Sequence, residues 1–138
     1  MLICGECFAD DEMRSEVELN ATSEGVCDVL HLQGKLIDSA WFRDFFEALL
    51  SLFERSEEGM PVAELVQKDW HLFSKTLVAK VLLDEVLQSL PYDFKVNDNV
   101  DYSVEIKDRV EIWERLKKNV KEKSRFFTNL DEFARYNY

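Results

Sequence analysis

Apolar and polar positions alternate in different rhythms along the chain. Residues 9–24 are mostly polar and acidic, and Met13, Val17 and Leu19 give only a weak helical or irregular pattern. Gly25 opens Val26-Cys27-Asp28-Val29-Leu30-His31-Leu32, a run rich in β-branched residues that reads as a strand. Gln33-Gly34 then reads as a turn and Lys35-Leu36-Ile37 as a second short strand pairing back. From Asp38 the rhythm is helical. Asp38 or Ser39 can cap the start, because a short oxygen-bearing side chain accepts an orphan amide proton there. Phe42, Phe45, Phe46, Leu49 and Phe53 fall on one apolar stripe, with Arg43, Asp44, Glu47, Ser51 and Glu54 on the other face. Gly59 ends that helix, and Pro61 suits the first turn of the next.

The next stripe is Val62, Leu65, Val66, Trp70 and Phe73, and a third runs through Leu77, Val78, Val81, Leu82, Val86 and Leu90. Tyr92 to Asp101 has no periodicity and reads as a loop. Ser103 then caps a last helix with Ile106, Val110, Trp113, Leu116 and Val120 inside. Its outer face carries Arg115, Lys117, Lys118, Lys121, Lys123 and Arg125, which complement a helix C-terminus and keep the face solvated. The fold class expected from these rhythms is mainly α, a helical bundle with a small β element at its N-terminus. The organisation is one domain over 1–138, with 1–37 as the cysteine-containing β or irregular element and 38–138 as the bundle.

Composition narrows this. The 138 residues are 46% hydrophobic and 12% aromatic, enough to fill a core and to exclude disorder. No apolar run approaches the ~20 residues of a membrane span. The opening MLICGECFADDE has neither the basic region nor the apolar stretch of a secretory leader. With an odd count of three cysteines, this points to reduced thiols in the cytoplasm, not a disulfide framework. Charge is lopsided: residues 1–66 hold fifteen acids against four bases, which accounts for the whole net charge of −11. Such a field repels nucleic acid and anionic membrane and steers basic proteins inward.

The segments CGECFADDEMR, LVQKDWHLFS and WERLKKNVKEKSRFF resemble the HEPN/RES N-terminal domain family, which precedes the RES domain in some bacterial proteins. The matching residues are Cys4, Cys7, Phe8 and Asp10, then Cys27, then Asp69, Trp70, Phe73 and Ser74, then Trp113, Arg125, Phe126 and Phe127. The resemblance implies a HEPN-like bundle with a zinc-ribbon-like N-terminal element. Where the family has a second C-x-x-C, this chain has Cys27 followed by Leu30, with His31 next to it. No RES domain is expected to follow, so the NAD-consuming chemistry of that domain is not carried over.

Cys4, Cys7, Cys27 and His31 have donor types and a spacing that zinc accepts, so a structural zinc ion is one expectation. The alternative is no cofactor, with the thiols acting as small buried apolar groups. The arginine-then-histidine motif of HEPN nucleases is absent, because His31 and His71 lie seventeen and sixteen residues after the nearest arginines, Arg14 and Arg55. The four glycines are isolated, so there is no phosphate loop. His71, beside Trp70 on a helix, reads as a partly exposed helical residue more readily than as a catalytic base.

These features point to a protein without enzymatic activity. The expectation is a bacterial immunity protein or antitoxin that neutralises a cognate basic toxin, a nuclease of the contact-dependent-inhibition kind. The acids expected to bind it are Asp10, Asp11, Glu12, Glu16, Glu18 and Glu24, with Asp44, Glu47, Glu54, Glu57 and Glu58 from the first long helix. The alternative is an adaptor that docks a RES-type enzyme through the N-terminal cysteine knob.

Overall fold

The computed structural model describes residues 1–89 and 91–108. Strand β1 (Leu2–Cys4) enters a 3-10 turn (Gly5–Cys7) and helix α1 (Asp11–Asn20), followed by β2 (Ser23–Val26) and β3 (Gln33–Asp38). A second 3-10 turn (Ser39–Phe42) opens α2 (Arg43–Leu50), and β4 (Phe53–Pro61), α3 (Val62–Trp70) and α4 (Thr76–Ser89) come next. β5 (Asn99–Tyr102) and α5 (Val104–Asp108) complete the described chain. β3 lies between β1 and β2 in an antiparallel sheet, and β4 pairs with β5 in an antiparallel ribbon.

The mainly helical, HEPN-like bundle is therefore not what forms. The described residues are 49% helical and 27% strand, a mixed α/β fold with two small sheets. The largest departure is at residues 53–61, where the apolar stripe predicts that the helix runs on. α2 instead stops at Leu50, capped at Ser51, and Phe53 begins a strand that pairs with Tyr102. A lone Phe53 fits either period, and the polar RSEEG that follows disfavours a strand by propensity. The partner is almost fifty residues away, so nothing local announces it. The same pairing places β5 at the end of the stretch expected to be a loop.

Elsewhere the stripes are right in kind and shifted at their ends. Asp10 caps α1, its carboxylate accepting the Met13 amide at 3.1 Å, and Met13 and Val17 are the buried side. Asp38 accepts the Ala40 amide at 3.0 Å and caps the 3-10 turn before α2. α3 ends at Trp70 because His71 turns left-handed (φ 47°) and donates its N–H back to Val66 and Gln67. Phe73 therefore leaves the helix and pairs as a bridge with Phe8. In the hairpin the reversal falls at 28–30 and not at Gln33-Gly34, which lie within β3. The basic cluster of 115–125 and the inner face from Val110 to Val120 lie outside the described residues.

One core joins these parts. Phe8 meets Phe42 and Phe73 with ring centroids 5.0 and 5.7 Å apart, and Phe46 meets Phe42 and Phe73 at 6.0 and 5.8 Å. This four-ring cluster ties the N-terminal segment to α2 and to the α3–α4 connection. Ser39 donates to Glu85 at 2.6 Å and Arg43 to Ser89 at 2.6 Å, fixing the α2 region against α4. No helix of the described residues is long and apolar enough to cross a membrane.

Candidate functional site

Three segments converge at the thiols. Cys4 ends β1, and the following 3-10 turn carries Cys7 round beside it. That turn is anchored on its far side: Ser74 donates to the Cys7 carbonyl at 2.9 Å, and Ala9 donates to the Leu72 carbonyl at 2.9 Å. Cys27 arrives from the end of β2, where its N–H donates to Leu32 at 2.9 Å and its carbonyl accepts His31 at 2.9 Å. Asp28 holds this tip against β1, accepting the Leu2 amide on its carboxylate at 2.7 Å and donating its own N–H to the Leu2 carbonyl at 2.8 Å.

The result is a group of three buried cysteines whose sulfurs all lie within 4.8 Å of one another, an arrangement that could bind a metal ion. Cys7 and Cys27 stand Sγ to Sγ at 3.6 Å. The three residues are exposed by only 3%, 0% and 0%, so their reactivity is that of an enclosed site. Burial, reinforced by the neighbouring Cys27, pushes the Cys4 and Cys7 thiols above their ordinary range. Burial also raises Cys27, but the backbone amides of Leu30, Val29 and Cys4 and the Cys7 thiol outweigh it and hold Cys27 lower. The Leu30 amide is 3.4 Å from that sulfur. Cys27 therefore ionises first, and it has donors in place for a thiolate.

Of the four expected ligands, the fold brings together Cys4, Cys7 and Cys27. His31 stands exposed just beyond the turn in a left-handed conformation (φ 60°) and does not join the group, and nor does His71.

The acids expected to bind a partner separate into distinct environments. Asp10 is 2% exposed and serves as the α1 cap, not as surface. Glu47 holds Arg43 at 2.8 Å, and Glu54 accepts the Val104 amide at 3.2 Å. Glu54, Glu57 and Glu58 belong to strand β4 and not to the first long helix. Asp11, Asp44, Glu57 and Glu58 are exposed, while Glu12 on α1 is half-buried.

Glu18 and Glu24 meet through Lys35, while Glu16 makes a separate contact. Glu18 lies 3.6 Å from Lys35 on β3, and Lys35 stands opposite Glu24 on β2. Glu16 accepts the indole N–H of Trp41 at 3.2 Å. Trp41 is 55% exposed, and Leu19 on the same helix as Glu16 is 82% exposed. Neither belongs to the set of acids expected to bind a partner. Trp41 is nonetheless readable in the sequence, because it falls off the stripe of Phe42, Phe45, Phe46 and Leu49 and so has no place in the core. Compared with family models, curated proteins and solved structures, the chain matches none of them.

Proposed function

We propose that the chain is a non-enzymatic binding protein that neutralises a basic partner, a nuclease toxin being the class its surface suits, with the cysteines as a structural metal centre. Trp41 is the observation that carries this reading. A large aromatic side chain exposed over half its surface and held by the carboxylate of Glu16, in the half of the chain that carries the whole excess of acids, has the composition of an interface hot spot with a charged rim. Carboxylates there complement the lysines and arginines with which a nuclease holds phosphate, and opposite fields speed encounter.

Zinc is the ion that the sequence spacing suggests, but without His31 the fold supplies only three of its four usual ligands, so the identity of the ion is left to the donor set. A bound ion would brace β1 and the β2–β3 tip, short elements that bury little by themselves.

The test is native mass spectrometry of the protein co-expressed with the product of the neighbouring gene. The expected result is a one-to-one complex that dissociates with rising salt and is weakened by Trp41→Ala. A complex indifferent to both would remove this surface from the assignment, and no complex at all would remove the function.

A further inference from the structure

If the cysteine group is the metal centre proposed for it, its donor set selects among ions. Resting on that reading, we infer that Cys4, Cys7 and Cys27 form a three-sulfur site for a soft ion satisfied by three ligands, of which monovalent copper is the representative, and not a four-coordinate zinc site.

Among the described residues the ligand inventory stops at three. The whole chain contains three cysteines and two histidines, and all five lie among the described residues. The three thiols are together, both histidines are elsewhere, and no carboxylate among the described residues joins the group. Zinc in structural sites is almost always tetrahedral, with four protein donors.

Local geometry agrees. Cys7 follows Cys4 by three residues on a tight turn, and the residue in the same relation to Cys27, also on a turn, is Leu30. Leu30 gives the site its backbone N–H, 3.4 Å from the Cys27 sulfur, while its partly buried side chain packs against the core. A turn that presents an amide to one sulfur without adding a second sulfur is suited to hold a thiolate in a three-ligand set.

Enclosure acts in the same direction. With the three cysteines exposed by no more than 3%, a solvent molecule has little access as a fourth ligand. An ion that is complete with three sulfurs needs none. Thiolate ligands favour soft ions, and monovalent copper accepts trigonal sulfur coordination. Three thiolates around a monovalent ion leave excess negative charge, which the amides of Leu30, Val29 and Cys4 at Cys27 partly offset.

The test uses the full chain, reduced and metal-free, under anaerobic conditions. Monovalent copper is titrated against a chromophoric copper chelator, zinc is titrated against a zinc-binding dye, and the copper form is examined by X-ray absorption. The expected result is one copper per chain with three sulfur neighbours, lost in Cys7→Ser. Zinc should bind the natural chain about 100-fold more weakly than it binds Leu30→Cys, which supplies a fourth thiolate. Zinc binding equally tightly to both chains, or a fourth protein ligand on copper, would overturn the inference and leave the metal centre standing. Failure of both ions to bind the natural chain would overturn both. If Leu30→Cys does not fold, the sulfur count around copper in the natural chain decides the matter alone.

Discussion

Trp41 and Tyr102 show how two polar-tipped aromatic residues serve opposite ends. Trp41 hangs outward and makes its hydrogen bond to an acid on the surface. Replacing it with alanine should change stability by under about 0.5 kcal/mol, as for most exposed sites. Partner affinity should fall at least about tenfold, and calorimetric titration beside a thermal melt separates the two effects. Tyr102 is buried, accepts the Trp70 indole N–H at 3.1 Å and donates to Asp69 at 2.8 Å. Burial first, and the Asp69 carboxylate second, raise its ionisation well above the ordinary 10.0. The unfolded chain therefore loses the phenol proton near that ordinary value while the folded chain keeps it. Stability from this group is complete below about pH 10 and falls as pH rises beyond it. The melting temperature of the natural protein should drop more steeply between about pH 9 and pH 11 than that of Tyr102→Phe. At neutral pH the variant should be less stable by about 1–2 kcal/mol.

At the scale of elements, the β4–β5 ribbon depends on one glycine. Arg55 and Met60 both stand opposite Val100, so residues 56–59 bulge out and return, and Gly59 comes back directly against the Val100 backbone. A Cβ at Gly59 would collide with the Val100 carbonyl. Gly59→Ala should therefore destabilise the protein by about 1–3 kcal/mol, seen as a lower urea midpoint with the slope unchanged. In the sequence Gly59 reads as a helix terminator. The helix has already ended at Leu50 and Gly59 lies inside β4, because the reason for the glycine is a strand brought in from elsewhere. Helix α1 is the contrary case. Its cap, Asp10, and its two buried residues are all local, so the weak pattern of Met13 and Val17 admits a helix, although it leaves an irregular segment equally open. Asp10→Ala should lower stability by about 1 kcal/mol, by loss of the cap, without directly altering the exposed acids of the proposed interface.

For the whole molecule, the field and the core answer to different residues. Reversing Glu18 and Glu24 to lysine should slow association with a basic partner and flatten its salt dependence, measured by stopped flow at two ionic strengths. Reversing Glu47 would break its 2.8 Å pair with Arg43, a closer contact than the exposed 3.6 Å pair of Glu18 with Lys35, and so confuse binding with folding more strongly. The apolar faces of α2, α3 and much of α4, the acidic character of the first half and the donor types of the thiol group are all legible in the order of residues. They follow from local periodicity and from composition, which need no knowledge of distant residues. Two outcomes required the folded chain: Phe53 meets Tyr102 as strand and strand, and three sulfurs converge without His31. Each of them depends on segments far apart in the chain being brought together, and helical or strand spacing carries no record of which distant partner will arrive.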